Sequence, residues 1–148
     1  MAPTFNRDVA PLVGSWRLSS CAFTFTDNGE RVEPYGANPT GRLVVERGGR
    51  MMGMLMKPNR QPPTTDAERA TLFNEMLAYT GSVRIGGPGQ FIITPDFAWN
   101  PEWGGEQVRF FTIEGDRLSI RTSEQTVPRF PGRLRVSELV FVREHPIS

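Results

Sequence analysis

Residues 15–26 read SWRLSSCAFTFT, and this segment predicts a long β-strand. Side chains alternate between the two faces of a strand. One predicted face therefore carries Trp16, Leu18, Ser20, Ala22 and Thr24, and the other carries Arg17, Ser19, Cys21, Phe23 and Phe25. Residues 27–30 read DNGE, which is typical of a turn because Asn and Gly tolerate positive φ angles. The strand is therefore predicted to end there.

Short apolar segments continue along the 148-residue chain, separated by many of its 15 Gly and 13 Pro residues. This pattern is typical of an all-β protein with many turns. The segments predict strands at residues 31–35, 42–47, 50–57, 82–85, 90–99, 106–114, 117–122 and 134–143, with residues 123–131 irregular. Pro95 lies inside one of these strands and requires an edge position or a bulge there, because proline cannot donate to a ladder.

One helix is predicted between these strands. Thr65 and Glu68 have the spacing of a capping box, in which both side chains accept hydrogen bonds from free backbone N–H groups. Apolar residues at helical spacing follow and end at Tyr79. We expect the helix over residues 65–78, with Gly81 just past its C-terminal end.

Many antiparallel strands in a chain of this length must close into a barrel or pack as a sandwich. The length is that of one domain, so we expect a single domain over residues 1–148. Segments 51–56, 90–99 and 139–142 are apolar on both faces. One face can fill the interior, and the other is then expected to contact the helix or a second subunit.

The ends of the predicted barrel resemble the calycin superfamily. Gly14, Ser15 and Trp16 begin the first strand, and Arg143 follows an apolar run on the last. In calycins a Gly-x-Trp motif packs its indole at the barrel floor, and an arginine of the closing strand crosses the ring in a cation–π contact. The resemblance implies that Arg143 covers Trp16.

Nearly the whole chain also resembles the lipocalin-like domain family of bacteria and fungi. The matching segments are LVGSWRL (12–18), GANPTGRL (36–43), GRMM (49–52), LAYTGS (77–82), NPEWG (100–104), EQVRFF (106–111) and GDRL (115–118). The resemblance implies an all-β, antiparallel, lipocalin-like barrel of about 8–10 strands with one inserted α-helix. It implies little about function, because one fold supports many functions. Relatives often carry a histidine followed by an acid where this chain has Thr94 and Asp96, so a catalytic histidine is not expected here.

The composition argues against several classes of function. The 17 Lys+Arg and 16 Asp+Glu residues are interspersed, which does not predict nucleic-acid binding. The single cysteine, Cys21, forms no internal disulfide, and neither a signal peptide nor an apolar run of about 18 residues is present. We therefore expect a cytoplasmic protein that does not bind membranes. His145 is the only histidine, so neither a metal site, nor another cofactor site, nor a Ser–His or Cys–His pair is expected.

Asp96, Arg109 and Tyr79 are the candidate catalytic or polar-group-binding residues. If Asp96 and Arg109 both point inward, they pair or hold a polar ligand group, with a structural ion pair as the alternative. A carboxylate in an apolar pocket has a raised pKa and can transfer protons. Tyr79 would lie over the barrel mouth from the end of the helix, as a donor to a ligand or as a cap on the backbone.

Apolar side chains would enclose the rest of a ligand. The methionines of segment 51–56 are flexible and polarizable, and so suit varied ligands. Two tryptophans flank the loop 100–102, which is typical of a ligand lid or a subunit contact. The predicted ligand-binding residues are Trp16, Met54, Met56, Thr94, Trp99, Trp103 and Phe111. Ordinary core packing is the alternative for each of them.

These features favour a barrel that binds one small, largely apolar ligand with one polar end. The alternative is a cofactor-independent isomerase, cyclase, lyase or dehydratase that uses the same pocket, with proton transfer by Asp96 or Tyr79 and oxyanion stabilisation by Arg109. A third hypothesis is an interaction module whose exposed apolar strand faces form a homodimer.

Overall fold

The computed structural model describes residues 7–127 and 130–147 and confirms the closed antiparallel barrel. Its strands are β1 (Gly14–Phe25), β2 (Arg31–Val32), β3 (Thr40–Val45), β4 (Arg50–Met56), β5 (Met76–Gly87), β6 (Gln90–Ala98), β7 (Gln107–Glu114), β8 (Arg117–Thr122), β9 (Gln125–Val127) and β10 (Phe130–Arg143). A 3₁₀ helix, Arg7–Leu12, precedes them, and helix α1, Asp66–Asn74, lies between β4 and β5.

Closure of the barrel depends on β1 and β10. Eight strands form the ring in the order β1-β3-β4-β5-β6-β7-β8-β10, and β2 and β9 are added beside it. β1 pairs with β10 from Trp16, opposite Arg143, to Phe25, opposite Arg135. We call the end at Trp16 the floor and the end at Phe25 the mouth. Because the neighbours in the ring are antiparallel, β7 begins near the mouth and β8 begins near the floor.

The floor has the geometry that the calycin resemblance implies. The guanidinium carbon of Arg143 lies 4.0 Å from the centroid of the Trp16 ring, and the Trp16 indole N–H donates to the Leu12 carbonyl at 2.9 Å. Arg143 also donates to the Val13 carbonyl at 2.9 Å. Gly14 has a φ of +135°, a conformation that favours glycine. A Cβ there would lie 2.8 Å from an Arg143 side-chain nitrogen, which would then have to shift.

A bulge in β1 changes which side chains point inward. Trp16 and Leu18 are buried, as are Cys21, Phe23 and Phe25, although the two groups have opposite parity in sequence. The register with β10 shifts between Leu18 and Ser20. The prediction of one uninterrupted alternation over residues 15–26 was therefore wrong, because the extra residue of a bulge exchanges the two faces.

The helix begins where the sequence predicts, but it ends earlier than predicted. Thr65 caps α1 and accepts a hydrogen bond from the Glu68 N–H at 3.1 Å, as the capping box predicts. The helix nevertheless ends at Asn74, and Tyr79 lies in β5 instead of at a helix end. Pairing of β5 with β4 outweighs the weak helical preference of this segment. No helix in the described part of the chain is long and apolar enough to cross a membrane.

Pro95 and Gly81 lie together at a bulge. The register between β5 and β6 shifts between Thr80 and Gly81, where Gly81 is opposite Pro95, as the proline predicts. Gly81 does not end a helix, which corrects the prediction. A Cβ there would collide with the backbone of Thr94 and Pro95, so the close approach of two strands requires the glycine.

The predicted irregular segment 123–131 contains β9 and the beginning of β10 in its described residues. Residues 128–129 of that segment lie outside the described residues. The strand predicted over residues 31–35 is limited to β2, and Tyr35 follows it in a turn.

Candidate functional site

The barrel contains a cavity of about 870 Å³, a size that suits a small organic molecule. Its apolar lining is formed by Leu43, Met51, Leu55, Leu77, Phe91, Ile93, Ile120, Leu139 and Phe141. Exposed residues such as Glu33, Glu102 and Gly104 also line it, so the cavity opens to solvent at the mouth. Most of the apolar lining therefore lies deeper than the opening.

Polar side chains from three neighbouring strands form one side of the cavity, which we call the polar wall. Its members are Gln107 and Arg109 of β7, Thr122 of β8, and Arg135 and Ser137 of β10. Arg109 is paired with Thr122 in the sheet, and the Ser137 N–H donates to the Thr122 hydroxyl at 2.9 Å. The wall is thus continuous from β7 to β10.

Arg109 has neutral hydrogen-bond partners. Its guanidinium donates to the Val108 carbonyl and to the Gln107 side-chain oxygen, both at 3.0 Å. Burial lowers the pKa of Arg109 because it removes the charged group from water. Burial raises the pKa of Tyr79 to about 12, an effect that the nearby positive charge of Arg109 opposes. The phenol of Tyr79 therefore remains protonated at neutral pH.

Tyr79 is held between Gly53 and Trp103. The Tyr79 and Trp103 ring centroids are 4.5 Å apart. Gly53 is opposite Tyr79 in the sheet, and a Cβ at Gly53 would lie 3.0 Å from Cε1 of the tyrosine. The glycine therefore makes room for the ring, and both aromatic side chains line the cavity.

Arg135 has fewer partners than Arg109. It donates to the Ser137 hydroxyl at 3.2 Å, and its guanidinium carbon lies 4.5 Å from the centroid of the Phe23 ring. Its Nε is buried and has no hydrogen-bond partner among the described residues. Burial lowers the pKa of Arg135. Burial also raises the pKa of two neighbouring groups, Tyr35 to about 12 and Cys21 to about 11.

Three of the predicted site residues line the cavity: Tyr79, Arg109 and Trp103. Asp96 is exposed and accepts a hydrogen bond from the Thr80 hydroxyl outside the barrel, so the expected proximity to Arg109 is absent. Thr94 and Met54 are also exposed. In β6, Phe91 and Ile93 point inward, so alternation along the strand places Thr94 on the outer face. In β4, Met51 and Leu55 point inward, so Met54 is likewise on the outer face.

The remaining predicted residues do not line the cavity and have structural contacts instead. Trp16 belongs to the floor, and Phe111 packs against Phe91 with ring centroids 5.4 Å apart. The Met56 sulfur accepts a hydrogen bond from Arg60 at 3.6 Å. Trp99 donates to the Phe73 carbonyl of α1 at 3.0 Å. Trp99 therefore attaches the helix to the barrel and does not cover the cavity.

The sequence analysis did not identify Arg135, Ser137 or Tyr35 as site residues. The signal for the first two was available, because Arg135, Ser137, Leu139 and Phe141 alternate along β10 and all line the cavity. Tyr35 lies in a turn, where no alternation indicates the direction of a side chain.

A family model described as a lipocalin-like domain matches residues 13–143. The match extends from the start of β1 to the end of β10, so it includes the polar wall and the floor. No match was found among curated proteins.

Proposed function

Because the chain belongs to the lipocalin-like domain family, we propose that its barrel binds one small, largely apolar molecule with a polar end. The observation that carries this proposal is the two-sided cavity of about 870 Å³, apolar toward the floor and polar along β7, β8 and β10. Transfer of apolar area from water into such a cavity contributes about 25 cal/mol per Å². The polar wall then determines the orientation of the ligand.

The apolar body of the ligand would lie toward the floor, against Leu43, Phe91 and Phe141. Its polar end would lie nearer the mouth, where Arg109 and the protonated phenol of Tyr79 supply hydrogen-bond donors. Trp103 borders the same region and contributes apolar surface at the opening.

Phenylnaphthylamine, an uncharged fluorescent probe, tests the proposal. We expect saturable binding at one site per chain. Leu55→Trp fills the cavity from β4, whereas Met54→Trp, its neighbour in sequence, adds the same side chain outside. Leu55→Trp should weaken binding about tenfold or more, and Met54→Trp should not. No saturable binding to the wild type, or equal binding to both variants, would contradict the proposal.

The acid–base enzyme alternative uses proton transfer by Asp96 or Tyr79 in the pocket. Asp96 is exposed outside the barrel, and the buried Tyr79, Tyr35 and Cys21 have raised pKa values that keep them protonated at neutral pH. The geometry therefore supports binding best. Asp96→Asn is expected to leave the affinity for phenylnaphthylamine unchanged.

The homodimer and the cytoplasmic location stay predictions. The outer surface of the sheet carries three exposed apolar residues that suit a homodimer contact: Val44, Met52 and Phe97. They lie close together, because Val44 is paired with Met52, and Met52 and Phe97 are both paired with Thr80. Met52→Glu would disrupt a contact at this surface. A lower mass of the variant in light scattering would support the homodimer, and a monomeric wild type would contradict it.

A further inference from the structure

The acidic residues that line the cavity do not neutralise the two arginines of the polar wall. Glu106 forms an ion pair with Arg84 at 3.3 Å, and Glu33 forms one with Arg31 at 3.3 Å. Glu102 is exposed. Within residues 7–127 and 130–147, neither Arg109 nor Arg135 has a carboxylate partner. Burial, and then the positive charge of Arg135, lower the pKa of Arg109.

Other arginines of the chain do have anionic partners. Arg133 donates to both oxygens of Asp27, and Arg42 donates to both oxygens of Glu144. Those pairs lie at the surface, where water already solvates the charges. Arg109 and Arg135 instead line the cavity without a carboxylate partner, and an unpaired charge is most costly where it is removed from water.

We propose that the ligand is an organic anion, an apolar body with one carboxylate, sulfonate or comparable oxyanion, whose charged end lies at the polar wall between Arg109 and Arg135. This inference rests on the proposed binding function and defines the chemical class of the ligand. The oxyanion supplies the anionic acceptor that both guanidiniums lack. Hydrogen bonds between an arginine and an oxyanion are about twice as strong as neutral ones, so the site selects for charge. The phenols of Tyr79 and Tyr35 line the same cavity and can donate to the anion.

Two probes that share a skeleton test the charge requirement. Anilinonaphthalene sulfonate carries a sulfonate that phenylnaphthylamine lacks. We expect the wild type to bind the sulfonate at least about tenfold more tightly. Arg109→Met and Arg135→Met should each remove most of this preference, measured as the ratio of the two affinities. Arg135→Lys keeps a positive charge and should retain part of it.

Arg121→Met is the matched control. Arg121 precedes Thr122 in β8 and is exposed outside the barrel, so its substitution removes the same charge from the protein without changing the cavity. The ratio of the two affinities should remain that of the wild type. Leu55→Trp must also weaken the binding of both probes. This result distinguishes binding in the cavity from binding at the surface.

The two proposals fail in different ways. If phenylnaphthylamine binds in the cavity but the sulfonate binds no more tightly, the anion proposal is wrong and the binding proposal stands. The same conclusion follows if Arg109→Met and Arg135→Met leave the ratio unchanged. If neither probe binds in the cavity, the binding proposal itself fails. The wild-type ratio needs no variant, so a variant that does not fold leaves the test intact.

Discussion

Arg143 at the floor and Arg135 nearer the mouth both extend from β10 over an aromatic ring of β1, but only Arg143 is well satisfied. At the floor, Arg143 lies 4.0 Å from the Trp16 ring centroid and donates to the Val13 and Pro11 carbonyls. Nearer the mouth, Arg135 lies 4.5 Å from the Phe23 ring centroid, donates to one hydroxyl, and has a buried Nε without a partner.

The difference separates a structural role from a binding role. Arg143 gains a cation–π contact and hydrogen bonds to two backbone carbonyls, so it stabilises the folded chain. Arg135 is desolvated without equivalent compensation, so it contributes little to the stability of the empty barrel. A site that must accept a ligand often keeps such a cost, because the ligand removes it.

The largest effect is expected at the floor. Trp16→Ala should lower the free energy of unfolding by about 3–5 kcal/mol, because a fully buried aromatic side chain is lost from the core. Urea denaturation monitored by circular dichroism measures this change. A loss below about 1 kcal/mol would show that the floor is not a stabilising centre and would remove the contrast with the mouth.

A smaller loss is expected from Arg143→Ala, about 1–3 kcal/mol. Because Arg143 and Trp16 are in contact, the double variant should lose less than the sum of the two single variants, with a coupling of about 0.5–2 kcal/mol. The same denaturation series supplies all four free energies. Additive losses would mean that the cation–π contact contributes nothing.

Arg135→Met and Arg143→Met should have different effects on the free energy of unfolding. Removal of a poorly satisfied guanidinium should leave the ligand-free protein unchanged or stabilise it by up to about 1 kcal/mol. Arg143→Met should destabilise it, since the carbonyls of Val13 and Pro11 lose their donor. Equal losses from the two substitutions would contradict the distinction between floor and mouth.

The smallest effect concerns an exposed ion pair beside the floor. Hydrogen bonds from Arg42, and then from Ser15, lower the pKa of Glu144 to about 2. A lowered pKa in the folded state stabilises the protein above the ordinary glutamate pKa, and this contribution disappears as the pH falls from about 4.5 toward about 2. Surface exposure keeps it small.

Denaturation midpoints of the wild type and Glu144→Gln should therefore converge over that pH range and differ only above it. A difference that persists at pH 2 would assign the effect of the substitution to packing and not to charge.

Several features were predictable from local sequence because their causes are local. The capping box needs only Thr65 and Glu68 at the correct spacing, and Pro95 cannot complete a regular ladder in any fold. The Trp16–Arg143 contact was predictable through the family resemblance and not through spacing, since the two residues lie at opposite ends of the chain.

The end of the helix was not predictable in this way. Residues 76–78 have apolar side chains that suit either a helix or a strand, and only the neighbouring β4 favours the strand. Tyr79 was therefore identified as a site residue for the wrong structural reason, although it does line the cavity.

The alternation of side chains along each strand is encoded locally, and it was sufficient to recognise an all-β chain. Which of the two faces points inward depends instead on pairing with other strands, because a shift of one residue exchanges the faces. The bulge at Leu18 and Ser20 makes this exchange within β1, and closure of the ring by β10 sets the faces of the last strand. Arg109 and Arg135 line the same cavity because β7 and β10 both pair with β8 in the ring. No local pattern in the sequence shows that these strands are neighbours.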